Sequence, residues 1–478
     1  MHEPIISVSG IRGIFGKSLT PLNITKYVSG FAEYLKSINK SKNKNIKVLI
    51  GRDGRLGGDI IENLVQNTLL FCGCSVINIG IAPTPTIALA VKTLKASGGI
   101  SITASHNPQQ WNGLKFLNSR GIFLDKTENN SLSNFFNNEN FSYVSENQIK
   151  PVEYYYEFAN YHIAKVLSIK YLNISKIKKR RFKIVVDCVN ASGSAIIPKL
   201  LEKLGCNVIK LDCSLNGVFN RPPEPLPENI KKTCKAVLLN KADLGLVIDP
   251  DADRLVIITE KGEPFGEENT VTAAIKFILS NIPKSKRIAV VNLSTTRTVD
   301  DIVNSLNGKI YKSPVGEINV IKKMKEVNAV IGGEGSGGVI LPEVHYCRDS
   351  LTAAALILNE FADSQMKVSE YKNTLPQYFI RKSKIDLAGI NVNKIFDYLK
   401  SHYRNYPMNF DDGLRIDFPN SWVNFRMSNT EPIVRIITEA KTQKEAEKMH
   451  NKFRSEIKEL CKINHPIVSP LIKGDEDF

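Results

Sequence analysis

The chain has 478 residues, of which 64 are Lys or Arg and 48 Asp or Glu; its formal charge is +16, with 42% hydrophobic and 23% charged residues. That length exceeds what one hydrophobic core serves and points to three or four globular domains, while the composition excludes a disordered or collagen-like chain. No apolar run approaches the roughly 18–20 residues of a bilayer span, and the first residues lack the basic-then-apolar layout of a secretory signal.

Eight scattered cysteines show no Cys-x-x-Cys spacing, so we expect free thiols, a cytoplasmic location and no membrane partner. The positive charge suits either nucleic acid or small anions. Its one dense run, residues 176–183, precedes an apolar strand pattern and reads as a solvated connector between domains, so no nucleic-acid partner is expected.

In chain order, Thr20-Pro21 offers an N-cap and a proline at the first helical position. Ile24, Tyr27, Val28, Phe31 and Leu35 follow at helical spacing. A strand over 46–50 runs into the polar turn 51–55, then a helix over 60–71, a strand over 75–79, a helix after Pro83 and Pro85, and a strand over 99–103. The same alternation returns with strands over 182–187, 206–211 and 244–248 and a helix over 193–204. It returns again with strands over 287–293, 309–311 and 329–331 and a helix over 318–325. Beyond about residue 375 the pattern changes to strands over 422–427 and 433–438 and a charged helix over 442–460. The expected fold is α/β: three similar units with mixed, mostly parallel sheets, at 1–150, 151–260 and 261–375, then a smaller α+β domain at 376–478.

Each of the first three units ends in a buried-looking strand that opens into a loop of unusual composition, where open α/β sheets bind ligands. The first loop is Thr103-Ala104-Ser105-His106-Asn107-Pro108. Its serine either only turns the chain or acts as a nucleophile; in phosphoryl transfer it would need charge neutralisation more than a strong base, from Arg12, Lys115 and Arg254, with His106 adjacent. The second loop is Asp249-Pro250-Asp251-Ala252-Asp253-Arg254. Three crowded carboxylates call for a hard divalent cation, and Mg²⁺ suits a site that handles phosphate. An EF-hand is excluded: Arg254 stands where the loop's glycine must be, although Glu260 falls at the twelfth position. The third loop, 333–338, offers Glu334 and Ser336 among glycines as readers of sugar hydroxyls. In the last domain Arg426 and Arg435 flank the turn 428–432, the parts of a phosphate cradle.

Ser9-Gly10-Ile11-Arg12-Gly13, the serine loop, the aspartate loop, Gly333-Glu334-Gly335-Ser336-Gly337 and Arg426-Met427-Ser428-Asn429-Thr430-Glu431-Pro432, in this order, resemble the α-D-phosphohexomutase superfamily over nearly the whole chain. The resemblance implies four domains around a central cleft, in an isomerase that moves a phosphoryl group between two positions of a hexose through phosphorylated Ser105 and a hexose bisphosphate. It implies Mg²⁺ held by Asp249, Asp251, Asp253 and the phosphorylated Ser105, and a catalytic group of Ser105, Arg12, Lys115 and His106, with Lys115 in proton transfer. It further implies substrate contacts from Arg254, Glu334, Ser336, Arg426, Ser428, Asn429, Thr430 and Arg435, in a monomer or homodimer.

One departure concerns substrate. Many members carry His after the Gly-Glu-x-Ser-Gly core, where this chain has Gly338, so that role is absent or met elsewhere; His345 is a distant candidate. The stretch Pro314-Val315-Gly316-Glu317 resembles the phosphoglucosamine mutase type, and a carboxylate near a sugar ammonium favours its protonated form. The expectation is therefore a hexosamine phosphate, with mannose or glucose phosphate as the alternative. A phosphatase at Ser105 and a non-catalytic sugar-phosphate or nucleic-acid binder are more remote ones.

Overall fold

Among the described residues, parallel strands joined through helices form the centre of three of the four sheets, because only a crossover of a dozen or more residues can return a chain to a parallel neighbour. The protein is described from a computed structural model, over residues 3–7, 10–39, 45–386, 392–427 and 433–463. It forms two compact units, one ending at Pro376 and the other beginning at Gln377.

The first sheet has seven strands in the order Ile5–Ser7, Gly10–Ile14, Trp111–Asn118, Gly98–Ile102, Lys47–Arg52, Ser75–Ile81, Val152–Tyr154. The second runs Leu255–Thr259, Leu244–Ile248, Lys183–Asp187, Asn207–Leu211, and the third Lys309–Ser313, Ile288–Asn292, Ile331–Glu334, Gly338–Ile340. In each, one of the parallel strands turns straight back as an antiparallel partner: Gly98–Ile102 into Trp111–Asn118, Leu244–Ile248 into Leu255–Thr259, and Ile331–Glu334 into Gly338–Ile340. The three loops singled out in the sequence are thus the turns of three β-hairpins. Leu244–Ile248 is buried at every position, as expected of a parallel strand covered on both faces.

Several expectations are corrected. The strand expected over 329–331 lies at Ile331–Glu334, so Glu334 is a strand residue rather than a loop residue. The glycines allow this: a Cβ on Gly333 would run into the carbonyl of Gly338 on the partner strand. The helix expected over 193–204 is a 3₁₀ turn, Ser192–Ala195, followed by Ile197–Lys203; Pro198 has no N–H to give an uninterrupted helix. The basic run is not a connector. Lys178, Lys179 and Arg180 form the last turn of the helix Ile174–Arg180, complementing its carbonyl end. Ile177 and Phe182 anchor it in the core.

The second unit is an antiparallel sheet in the order Phe379–Asp386, Ile433–Ala440, Ser421–Met427, Leu414–Phe418, Met408–Asn409, with helices Val392–His402 and Gln443–Ile463. The strand Phe379–Asp386 escapes a sequence reading because it is an edge strand bearing Arg381, Lys382 and Lys384, the charges that discourage further pairing.

In the first unit the helix Ser350–Ser364 is buried at 13 of its 15 positions, the mark of a helix enclosed on all sides. Its Phe361 lies 5.8 Å from Phe265 and 5.2 Å from Tyr371 between ring centroids. Phe361→Ala is expected to cost about 3–5 kcal/mol through the cavity it leaves, read as a lowered urea midpoint; a loss below about 1 kcal/mol would mean that the trio collapses to fill the space.

Candidate active site

Ser105 sits at the turn of the first hairpin, 2% exposed, in the left-handed backbone region at φ 53°. A side chain there is strained, and the surroundings hold it. The Ser105 N–H donates to Thr103 Oγ1 (2.8 Å), whose hydroxyl donates to Asp53 Oδ2 (2.6 Å). Arg55, fully buried, donates from Nη2 to the Ser105 carbonyl (2.6 Å), from Nη1 to the Trp111 carbonyl (2.5 Å) and from Nε to Asp53 (2.9 Å). The stretch 51–55, read in the sequence only as a polar turn, is therefore the brace of the serine turn. Its signal was the same as that of the other loops: charged residues directly at a strand end. Arg12 reaches the turn from Gly10–Ile14, donating to Asn107 Oδ1 (2.9 Å), while Ser9 lies outside the described residues. His106 Nδ1 is 3.4 Å from Ser105 Oγ.

The second hairpin turn carries Asp249, Asp251 and Asp253, all fully buried, with carboxylate oxygens within 4.8 Å of one another. Ala252 between them is left-handed, φ 53°. The turn is pinned from three directions: Thr84 N–H to the Asp251 carbonyl (3.0 Å), Ser192 to the Pro250 carbonyl (2.7 Å) and Ser350 to the Ala252 carbonyl (2.7 Å).

Each aspartate has one oxygen engaged and one without a hydrogen-bond partner. Asp249 Oδ1 accepts from Arg254 N–H (3.2 Å), Asp251 Oδ2 from Lys115 Nζ (2.6 Å), and Asp253 Oδ2 from Arg348 Nη2. Asp249 Oδ2, Asp251 Oδ1 and Asp253 Oδ1 are buried and accept no hydrogen bond. Three orphaned carboxylate oxygens in one dry turn fit a hard divalent cation. Burial, reinforced by Asp253 and Asp251, drives the Asp249 carboxyl well above its ordinary range. Burial would raise Asp251 too, but the Lys115 ammonium overrides it and holds that carboxyl below the usual range. Glu260 takes no part: it accepts from Ser369, in keeping with the exclusion of an EF-hand. Arg254 Nη1 stands 3.6 Å from Glu224.

The third hairpin presents Glu334 and the half-buried Ser336. Glu334 Oε1 accepts from Asn292 Nδ2 (2.8 Å) and Gly316 N–H (2.9 Å), and Oε2 from Arg348 Nη1 (2.8 Å). Arg348 was not singled out in the sequence, where it is one basic residue ahead of a helix cap; only its fold neighbours reveal it. Glu317, expected to face a sugar ammonium, is turned inward: Oε1 accepts from the Arg348 N–H (2.7 Å), and Oε2 lies 3.3 Å from Arg348 Nε. His345 does not replace the absent histidine either. With His162 it shares Asp349 Oδ2, at 3.2 and 3.1 Å, and Thr352 bonds the same oxygen. These three residues could geometrically hold a metal, but protein donors already occupy the carboxylate.

In the second unit Arg426 and Arg435 are directly opposed across the sheet, and Lys384 is directly opposed to Arg435 on the other side. Three cations in one cross-strand row repel each other, and an anion between them relieves that cost. Arg426 Nε also bonds Asp412. Lys384 is an addition to the residues read from the sequence; Ser428, Asn429 and Thr430 lie outside the described residues.

A braced serine, a carboxylate turn fitted to a cation and the buried carboxylate of Glu334, on three strand ends, fit an enzyme that transfers a phosphoryl group. Matches to the four phosphoglucomutase/phosphomannomutase domain models cover residues 5–143 (α/β/α domain I), 160–262 (domain II), 267–379 (domain III) and 384–456 (C-terminal domain). A phosphoglucosamine/phosphogalactosamine mutase of Sulfurisphaera tokodaii is 32% identical over 94% of this chain and 98% of its own. A phosphoglucomutase/phosphomannomutase of Thermococcus kodakarensis is 35% identical over 91% and 94%. A crystal structure of a phosphoglucomutase/phosphomannomutase family protein from Burkholderia thailandensis shares the fold, with TM-score 0.82, 24% identity and coverage of 97% and 99%. The chain belongs to the phosphoglucomutase/phosphomannomutase family of the α-D-phosphohexomutases, and is thus an isomerase. No helix among the described residues is long and apolar enough to cross a membrane.

Burial, with Arg254 and Arg12 beside it, pushes the His106 imidazole down from 6.5 to about 2. The unfolded chain takes up that proton near pH 6.5 and the folded one does not, so stability present at neutral pH is lost as the pH falls below 6.5. His106→Gln should flatten the fall in melting temperature between about pH 7 and pH 5. Parallel curves for the parent and the variant would show that the folded imidazole titrates normally.

Proposed function

We propose that the protein interconverts the 6- and 1-phosphates of a hexosamine, with Ser105 as the phosphoryl carrier. The observation that carries this reading is the set of three orphaned aspartate oxygens joined to the serine hairpin through Lys115 and Asp251. Asp249, Asp251 and Asp253 would hold the cation, which we take to be Mg²⁺; when bound it supplies positive charge to the oxygens of the transferring group.

The residues do the rest by position. The Ser105 turn, fixed by Arg55 and Asp53, presents Oγ; Arg12 and Arg254 offset charge on the phosphoryl oxygens. As phosphorylated Ser105 passes its group to a sugar hydroxyl, the Oγ–P bond breaks and a sugar O–P bond forms. We assign the accompanying proton transfer to Lys115, which returns to Oγ a proton equivalent to the one the hydroxyl gives up. Glu334 and Ser336 read the sugar hydroxyls. Arg426, Arg435 and Lys384, with Ser428, Asn429 and Thr430, grip the phosphate that stays. The bisphosphate then turns round, and Ser105 takes back the other group. In this reading the domains divide at 1–150, 151–260, 261–375 and 376–478, and the protein works in the cytoplasm.

The hexosamine assignment rests on the relative in Sulfurisphaera tokodaii. A glucose or mannose phosphate is the second reading, favoured by the relative in Thermococcus kodakarensis and by Glu317 being committed to Arg348. Coupled assays with glucosamine, glucose and mannose 1-phosphates decide between them: the first reading requires the highest kcat/KM for the amino sugar, and a larger value for mannose or glucose would reverse it. Ser105→Ala should retain fold and cation binding but lose transfer, and should no longer gain the mass of one phosphoryl group on incubation with hexose bisphosphate. Turnover of that variant at the parent's rate would rule out Ser105 as carrier.

A further inference from the structure

Arg348 is buried and stands between the second and third hairpins, meeting carboxylates from both. Nη2 bonds Asp253 Oδ2, Nη1 bonds Glu334 Oε2 at 2.8 Å, and Nε lies 3.3 Å from Glu317 Oε2, while the Arg348 N–H holds Glu317 Oε1. Burial would lower the tendency of this guanidinium to keep its proton, but Asp253, Glu334 and Glu317 outweigh burial. Its route depends on one glycine: a Cβ on Gly338 would lie deep inside the van der Waals radius of Arg348 Cδ. The position after the glycine-rich turn is bare because the Arg348 stem runs through that space.

We propose that Arg348 is a positioning residue that couples the cation-binding turn to the sugar-reading strand. By occupying Asp253 Oδ2 it leaves Oδ1, which has no hydrogen-bond partner, as the oxygen turned to the cation. By occupying Glu334 Oε2, while Asn292 and Gly316 occupy Oε1, it fixes the carboxylate that meets the sugar. A planar guanidinium bridges two carboxylates in a fixed geometry; an ammonium on a flexible stem does not. Fixing one turn thus fixes the other, and a change in Arg348 disturbs cation and sugar together. This rests on the reading of the aspartate turn as a cation site and Glu334 as a sugar contact.

The experiment is titration of the sugar-free, full-length protein with Mn²⁺, followed by the electron paramagnetic resonance signal of free Mn²⁺, with steady-state kinetics alongside. Arg348→Met is expected to raise the Mn²⁺ dissociation constant about 10–100-fold, as loss of a partner orienting a metal ligand does. It should also raise KM for the sugar phosphate at saturating Mn²⁺ more than it lowers kcat. Arg348→Lys should recover part of the cation affinity without recovering KM, because one ammonium cannot serve both carboxylates. Gly338→Ala keeps the guanidinium but blocks its route, and should shift both quantities in the direction of Arg348→Met; it decides the matter if Arg348→Met does not fold. Folded Arg348→Met or Gly338→Ala protein that binds Mn²⁺ within about twofold of the parent overturns the proposal. Absence of Mn²⁺ binding in the parent would instead overturn the reading of the aspartate turn.

Discussion

The constraint on which the rest depends is the burial of three carboxylates in one short turn. Like charges so close in a dry interior repel strongly, and each carries a desolvation cost that only nearby positive charge offsets. The turn itself supplies only Arg254. Lys115 comes from the serine hairpin and Arg348 from the segment after the glycine-rich hairpin, so the electrostatic need of one turn draws its two neighbours against it. The composite site follows from that need as much as from apolar packing.

The hairpin turns also share a backbone device. Ser105, Ala252 and Gly337 are all left-handed, and in the first two a side chain bears the strain. Such strain persists only where the surroundings over-determine it. Asp53 and Arg55 do so for the first turn, and Thr84, Ser192 and Ser350 for the second. Phosphoryl transfer asks little covalent chemistry of a protein and much positioning, which is what these hydrogen bonds provide.

The alternation of strand and helix, the three strand-end loops and their chemical types were legible in the sequence, because each loop follows an apolar strand without a spacer. Ser105, Lys115 and the three aspartates could be named from that placement and from the order of the motifs. What was not legible depends on partners far apart in the chain. Arg348 acquires meaning only through Asp253, 95 residues away, and Glu334, 14 away. Glu317 looked like a ligand for an ammonium because sequence gives its charge but not its direction; folded, it faces Arg348. Arg55 stood only as part of a polar turn, yet it is among the most deeply buried side chains. The antiparallel pairing of the return strands was hidden for a plainer reason: a short apolar run does not state which way it pairs.

The repeated hairpin has a consequence for how such a chain can change over generations. The sheets set where each turn stands, and the turns differ in length and in the side chains they display. A turn can therefore be rewritten while the sheet that bears it is left alone, as long as the buried charges still balance. New substrates would be reached most readily by altering Ser336 in the third turn while Arg348 stays in place, and least readily by altering the aspartate turn, whose charges Lys115 and Arg348 help to neutralise. The architecture makes one of its three parts free to diversify by making another nearly immovable.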